Sequence, residues 1–195
     1  ERLWDQPTMK GRRVIVQGVG KVGGELARLL ADEGATVAVA DVDSVAAGKL
    51  AAEIGGDALD PATVLGVECD VLAPCALGPV VTDATLPKFA CRAIAGAANN
   101  QLERPDHGRA LQERGILYAP DYVINAGGVI NVAGEIMGFG HDEARRRAGE
   151  IATTLRAVFD ESESAGASPA ETADALAERR IGAAKRTWTG PGGSR

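Results

Sequence analysis

The chain has 195 residues, 45% hydrophobic and 25% charged, a balance typical of a globular domain rather than a disordered segment. A formal net charge of −6 and an aromatic content of 4% argue against a nucleic-acid-binding surface, which needs basic residues and stacking rings. No apolar run approaches the ~20 residues of a membrane-spanning helix, so we expect no membrane partner.

The cysteines and histidines indicate no metal site. Cys69, Cys75 and Cys91 form no CxxC pair, which favours reduced thiols and a cytoplasmic location. His107 and His141 are far apart and lack zinc spacing, so we expect them to be surface or helix-end residues.

The first half of the chain predicts alternating strands and helices. Short apolar runs at Arg13–Gln17 and Thr36–Asp41 predict buried strands, and the apolar spacing of Val22–Glu33 predicts a helix between them. Ser44 is expected to cap a second helix that runs to Ile54. Further strands are expected at 70–73, 92–96 and 115–119, with a helix at 106–114. Strands separated by helices require crossover connections, which predicts an α/β fold with a Rossmann-like, doubly wound, mostly parallel sheet.

After Gly128 the pattern becomes helical, so the predicted sheet is followed by C-terminal helices. Asp142–Ala165 predicts one long amphipathic helix. Ser168 then opens another helix, with Glu171 at the spacing of a capping box. The Gly- and Pro-rich tail 187–195 is expected to be disordered.

A GxGxxG pattern lies between the first predicted strand and helix. Gly18 would allow the tight turn, Gly20 would leave room for a pyrophosphate, and Gly23 would let the helix pack closely on the strand. The free N–H groups of the helix N-terminus attract phosphate. Lys21 is followed by Val22 and the glycine spacing differs from that of a P-loop, so we expect both residues to belong to a dinucleotide turn.

Asp41 ends the second predicted strand, 23 positions after Gly18. A carboxylate at this position accepts hydrogen bonds from the adenosine ribose hydroxyls and repels a 2′-phosphate. The predicted cofactor is therefore NAD rather than NADP. The alternative is a glycine-rich turn followed by a surface aspartate.

Three later segments, at 73–78, 96–100 and 120–132, are rich in small and polar residues, and each follows a predicted strand. Ligands of open α/β sheets bind beyond the carboxyl ends of the strands. Asn99 and Asn125 offer the donors and the acceptor that a carboxamide needs. Alternatively, they cap helices or stabilise turns.

Four motifs carry a family resemblance: Val-Gln-Gly-Val-Gly-Lys-Val, Ala-Pro-Cys-Ala-Leu-Gly, Ala-Asn-Asn-Gln-Leu and Tyr-Ala-Pro-Asp-Tyr-Val-Ile-Asn-Ala-Gly-Gly-Val-Ile. Over residues 10–184 the chain resembles the NAD-binding half of the glutamate/leucine/phenylalanine/valine dehydrogenases, and the leucine/valine branch most of all. The resemblance implies that an L-amino acid is oxidised to an imine by hydride transfer to NAD. Water then converts the imine to a 2-oxo acid and ammonia.

The resemblance also assigns roles to positions of this chain. The residues implied to lie around the nicotinamide are Ala73, Pro74, Cys75, Asn99 and Asn125, and Ala97 is implied to contact the cofactor. Asn99 would also face the amino-acid substrate, with Val129 and Val132 lining its side-chain pocket. Two valines suit a branched aliphatic side chain, and phenylalanine is the alternative substrate.

The family's substrate half carries the catalytic lysines and aspartate, and none of the five lysines here has a matching context. The chain begins with Glu1 rather than methionine, so we expect a piece of a longer protein that is inactive alone. Its partners would be an N-terminal substrate domain and, at full length, further copies in a homo-oligomer. The alternative is a non-catalytic, NAD-sensing regulatory module.

These expectations divide the chain into four parts. Residues 1–10 would end a linker or helix from the missing half, 11–140 would form the NAD-binding domain, 141–186 the C-terminal helices, and 187–195 the tail.

Overall fold

The computed structural model describes residues 2–4 and 6–187, and these contain a six-stranded sheet in the order β3-β2-β1-β4-β5-β6. Every strand pair in it is parallel. The strands are β1 (Arg13–Gln17), β2 (Thr36–Ala40), β3 (Asp57–Ala58), β4 (Cys69–Pro74), β5 (Cys91–Ile94) and β6 (Leu117–Tyr118). The predicted α/β, Rossmann-like, doubly wound sheet is confirmed.

Helices connect the strands and follow the last one. They are α1 (Lys21–Asp32), α2 (Ser44–Ile54), α3 (His107–Glu113), α4 (Asp121–Ile124), α5 (Gly127–Met137), α6 (His141–Gly149), α7 (Ile151–Ala165) and α8 (Pro169–Thr187). Single 3₁₀ turns lie at Val64–Gly66 and Leu86–Lys88. Among the described residues, no helix is both long and apolar enough to cross a membrane.

The sheet is buried on both faces. Val14 and Val16 of β1 belong to an apolar cluster that includes Leu50 of α2. Ile15 belongs to a second cluster, which contains Leu72 of β4. A parallel sheet covered on both sides needs apolar side chains at successive positions, which is why the strands read as uninterrupted apolar runs.

The prediction that Ser44 caps α2 is wrong. The cap is Asp43, whose Oδ1 accepts hydrogen bonds from the backbone N–H groups of Val45 (3.1 Å) and Ala46 (3.0 Å). Ser44 is already the first helical residue. A carboxylate one residue earlier reaches the unpaired N–H groups of the first turn, and its charge suits the positive end of the helix.

The single helix expected over Asp142–Ala165 is two helices, α6 and α7, separated at Glu150. Glu150 keeps helical dihedrals (φ −76°, ψ −12°), but its N–H bonds to the Arg147 carbonyl, three residues back, at 3.0 Å. The preceding Gly149 has a low helix propensity and tolerates such a break in the regular hydrogen bonding.

The capping box that opens α8 is confirmed. Ser168 Oγ accepts from the Glu171 N–H at 3.3 Å, and Glu171 Oε2 accepts from the Ser168 N–H at 2.8 Å. The predicted tail, 187–195, overlaps α8 at Thr187, and its remaining residues lie outside the described part of the chain.

His107 is not a surface residue, although it does begin a helix. Only 1% of it is exposed. Its Nδ1 accepts from the Arg104 N–H at 3.3 Å, and its Nε2 lies 3.1 Å from the Asp83 carboxylate. Two polar partners satisfy both ring nitrogens, so the imidazole can be buried at little cost.

Candidate functional site

The candidate site lies where β1 and β4 are neighbours in the sheet. The chain leaves β1 for β2 on one side and leaves β4 for β5 on the other. Connections that diverge in this way open a crevice beyond the carboxyl ends of the two strands, and this is where open α/β sheets bind ligands. The segments that enter the crevice here begin at Gly18 and at Cys75.

Gly18 makes the tight turn after β1. Its φ of +97° lies in the region that favours glycine, and its N–H donates to the Ala40 carbonyl of β2 at 2.7 Å. A Cβ at this position would lie 2.6 Å from the backbone nitrogen of Ala76. The turn is therefore closed against the segment that follows β4.

Gly23 lets α1 approach that turn. A Cβ there would overlap the Gly18 carbonyl oxygen and would lie 2.9 Å from Cys75 Cβ. By contrast, a Cβ on Gly20 would meet nothing within 4 Å, and Gly20 is exposed. The geometry at the three glycines thus fits a tight turn, an open approach and a close contact, as their spacing predicts.

The N-terminus of α1 faces this open side without a side-chain cap. Gly20 is the N-cap residue, and no side chain accepts a hydrogen bond from the first turn. Lys21 and Val22 begin the helix and are exposed. The N–H groups of such a turn have no helical acceptor, and together with the helix dipole they attract an anion.

Asp41 follows β2 and turns its carboxylate onto this region. Oδ2 accepts from the Val19 N–H at 2.7 Å, and Oδ1 accepts from the Asp43 N–H at 2.9 Å. These backbone donors, Val19 first, hold the pKa of Asp41 below its usual value. The carboxylate is therefore ionised at neutral pH and anchored beside the glycine turn.

The end of β4 forms the opposite wall. Ala73 and Pro74 are buried and Cys75 is half-buried. The Cys75 N–H donates to the Gln17 carbonyl at 2.6 Å. Burial raises the pKa of the Cys75 thiol, so it is a poor nucleophile at neutral pH.

Asn99 and Asn125, 26 residues apart in sequence, meet in the structure. Asn125 Nδ2 donates to Asn99 Oδ1 at 2.7 Å. Asn99 is exposed, whereas Asn125 and Ala97 are half-buried. The bond leaves one donor group on Asn99 and one acceptor on Asn125 available to a ligand.

Three residues that support these asparagines were not singled out from the sequence. A Cβ on Gly96 would overlap Pro74, so only glycine allows the β5 loop to lie on the end of β4. Tyr118 OH donates to Asp121 Oδ1 at 2.9 Å inside the protein, which fixes the start of α4 and the approach to Asn125. Gln101 is fully buried against residues 96–100, the loop after β5 that carries Asn99 (the Asn99 loop). Each of these residues lies within or next to a motif quoted above, but the sequence pattern does not show that its side chain or Cα position is buried.

Val129 and Val132 lie on α5, which begins two residues after Asn125. They are 73% and 55% exposed. Their spacing of three residues places them on one face of the helix, and Ile136, 82% exposed, continues that face. The structure therefore offers an open apolar stripe beside the asparagine pair.

One group of possible metal ligands occurs among the described residues: Asp83, Glu103 and His107. Arg104 occupies the same place, with both of its terminal nitrogens on the Asp83 carboxylate at 2.8 and 2.9 Å. The guanidinium already neutralises Asp83, so this cluster is an ion-pair network.

Comparison with known proteins gives a consistent match. The family described as glutamate/leucine/phenylalanine/valine dehydrogenase matches residues 44–187. A leucine dehydrogenase of Bacillus cereus is 45% identical over 179 residues, which is 92% of this chain and 49% of that protein. A valine dehydrogenase of Streptomyces albus is 43% identical over 95% of this chain and 52% of its own length.

Solved structures agree. The crystal structure of L-tryptophan dehydrogenase from Nostoc punctiforme matches with a TM-score of 0.90 at 39% identity, covering 95% of this chain and 57% of that one. A hetero-hexameric glutamate dehydrogenase from Thermus thermophilus matches with a TM-score of 0.73 at 26% identity, over 94% and 49% of the two chains. The chain spans about half the length of the curated relatives it matches.

Proposed function

The chain belongs to the glutamate/leucine/phenylalanine/valine dehydrogenase family, and on that basis we propose that it is the NAD-binding half of an amino-acid dehydrogenase. The observation that carries the proposal is the β1–α1 turn. Gly18 and Gly23 leave no room for a side chain, Gly20 is open, and the helix behind it has no side-chain cap. This is a cradle built for a diphosphate.

Asp41 would select the adenosine end. Its carboxylate is held at the turn by the Val19 and Asp43 N–H groups, so its lone pairs remain close to the position of the ribose hydroxyls. A 2′-phosphate would bring a dianion against this carboxylate, with no basic residue in the Asp41–Ser44 segment. Repulsion between like charges at close range favours NAD over NADP.

The nicotinamide would lie against Ala73, Pro74 and Cys75. Asn99 and Asn125 would hold its carboxamide, because their mutual bond leaves a donor on Asn99 and an acceptor on Asn125. NAD, when bound, supplies the hydride acceptor for oxidation of the substrate Cα–H bond. The chain's own residues orient the ring and exclude water from its buried side at Ala73 and Pro74.

For the substrate we propose a branched aliphatic L-amino acid, released as its 2-oxo acid and ammonia. Val129 and Val132 form an exposed apolar stripe on α5. The relatives act on leucine, valine and tryptophan by name, and two valines present the β-branched surface that a leucine or valine side chain fits. One methylene in such a pocket changes specificity by only ~1–3 kcal/mol.

The proton-transfer groups would lie in a substrate domain N-terminal to this chain. We therefore propose a division into linker (1–10), NAD-binding domain (11–140) and C-terminal helices (141–186), with the substrate domain as partner in a cytoplasmic homo-oligomer. Because the chain spans about half of its relatives, it would bind NAD without turning over an amino acid.

Isothermal titration calorimetry of the chain with NAD and NADP tests the cofactor assignment. We expect NAD to bind and NADP to bind at least roughly tenfold more weakly. Addition of a family substrate domain should then give oxidation of leucine or valine faster than phenylalanine. Tight binding of NADP instead of NAD would overturn the assignment. NAD binding with no turnover in any such combination would favour a regulatory module.

A further inference from the structure

Gln101 is fully buried beside the loop that carries Asn99. Its Nε2 donates to the carbonyl oxygens of Gly96 (2.9 Å) and Ala98 (3.0 Å). Its own backbone carbonyl accepts from the N–H groups of Val80 and Val81 at 3.0 and 2.9 Å. One residue thus joins the Asn99 loop to a separate segment of the chain through four hydrogen bonds.

The orientation of the Gln101 amide follows from its partners. With the amide turned over, Oε1 would face two carbonyl oxygens, which repel it, so Nε2 must point to them. Oε1 is then buried and has no partner among the described residues. Burying a carbonyl without a partner costs stability, and leucine would fill similar space without that cost. The amide is therefore retained for its two donor hydrogens.

The same loop is fixed on its other side by β4. The Ala98 N–H donates to the Pro74 carbonyl at 2.8 Å, and Gly96 lies so close to Pro74 that a Cβ would overlap it. Asn100 then turns the chain sharply, with φ +55°. Asn99 stands between these fixed points, and its Oδ1 receives the Asn125 Nδ2 hydrogen bond.

We propose that Gln101 is a positioning residue that sets where Asn99, and through it Asn125, presents its amide groups to the nicotinamide carboxamide. This inference rests on the proposed function. It separates the two ends of the cofactor site: Gln101 governs the nicotinamide end, whereas the Gly18–Gly23 turn and Asp41 govern the diphosphate and adenosine ends. A residue that merely stabilised the fold would affect both ends alike.

The test compares NAD with ADP-ribose, which has the same adenosine and diphosphate but no nicotinamide. Gln101→Leu should weaken NAD binding to the chain roughly tenfold, the loss expected for about one misplaced hydrogen-bonding contact, and leave ADP-ribose binding unchanged. The matched control is Gln112→Leu, which removes an exposed amide hydrogen bond to the Ala167 carbonyl (3.1 Å). It should change neither affinity.

A second variant covers the case in which the leucine variant does not fold. In Gln101→Glu a carboxylate would repel the Gly96 and Ala98 carbonyls, but a protonated carboxyl can donate to one of them. Burial raises the pKa of a carboxyl group, so more of the introduced carboxyl should be protonated as pH falls from about 8 towards about 5. The ratio of NAD affinity to ADP-ribose affinity should recover over that range. The wild-type ratio should stay flat.

Four results would overturn the inference. Equal losses of NAD and ADP-ribose affinity in Gln101→Leu would show a structural role only. An unchanged NAD affinity in that variant, or a pH-independent ratio in Gln101→Glu, would show that the amide does not position the asparagines. Failure of the wild-type chain to bind ADP-ribose would instead overturn the proposed function, and the inference with it.

Discussion

Gly23 provides the sharpest test of how closely α1 must approach the β1 turn. In Gly23→Ala the new methyl group would overlap the Gly18 carbonyl oxygen and lie 2.9 Å from Cys75 Cβ. Neither obstacle is the flexible end of a long side chain, so the helix itself must move. Such overpacking costs ~1–3 kcal/mol, partly offset by the ~0.5–1 kcal/mol that alanine gains over glycine in a helix. We expect a net loss of about 1–2 kcal/mol of unfolding free energy.

The neighbouring residue supplies the control. A Cβ on Gly24 would make only ordinary contacts, the nearest at 3.5 Å. Gly24→Ala should therefore raise the unfolding free energy by ~0.5–1 kcal/mol. Urea unfolding of both variants measures the difference in sign. Calorimetry should show that Gly23→Ala lowers the affinity for NAD at least about tenfold, because the N–H groups of the first turn move with the helix. Gly24→Ala should change the affinity little.

Opposite results would refute this reasoning. If Gly23→Ala were as stable as Gly24→Ala, the turn would have to accommodate a methyl group where the structure shows an overlap with the Gly18 carbonyl oxygen. If it were destabilised and still bound NAD with full affinity, the position of α1 would be irrelevant to the diphosphate.

Three further substitutions test other parts of the site and fold. Asp41→Asn should reduce the affinity for NAD and decrease the ratio of NAD affinity to NADP affinity. The pKa of Asp41 is lowered in the folded state, so its carboxylate stabilises the fold at pH values above its ordinary pKa of 3.8, and this stabilisation is lost as pH falls through the folded-state pKa. Acid titration of the variant should therefore show a smaller loss of stability than acid titration of the wild type. Asn125→Ala should weaken NAD roughly three- to tenfold and spare ADP-ribose, as calorimetry would show; equal losses would contradict its assignment to the nicotinamide. Ser168→Ala should lower the unfolding free energy by about 1 kcal/mol through loss of the capping box. The control is Ser164→Ala, at an exposed position on α7, which should leave the unfolding free energy unchanged. Equal melting temperatures for the two variants would contradict the role of Ser168 as a cap.

The sequence predicted the architecture because its strongest signals are local. The run at Arg13–Gln17, the glycine spacing and the helix up to Asp32 need only neighbouring residues to be interpreted, and the structure shows them within one or two positions. The strand β3 was missed because two residues, Asp57 and Ala58, are too short to show a period. The break at Glu150 was missed because one glycine in a helical pattern is compatible with continuity.

The candidate site was predictable to the extent that its residues lie in motifs. Gly18, Asp41, Asn99 and Asn125 could be named from spacing and resemblance, and the structure adds that the two asparagines bond to each other. The roles of Gln101 and His107 depend on burial and on partners distant in sequence, such as Asp83, which no single segment reveals.

The most direct test of the account is a crystal structure of the chain grown with NAD. We expect the diphosphate within hydrogen-bonding distance of the backbone N–H groups at Gly20–Val22 and the adenosine ribose on Asp41. The carboxamide should bond to the Asn99 donor and the Asn125 acceptor that their mutual hydrogen bond leaves over. A dinucleotide bound elsewhere, with the β1–α1 turn making no contact to phosphate, would contradict it.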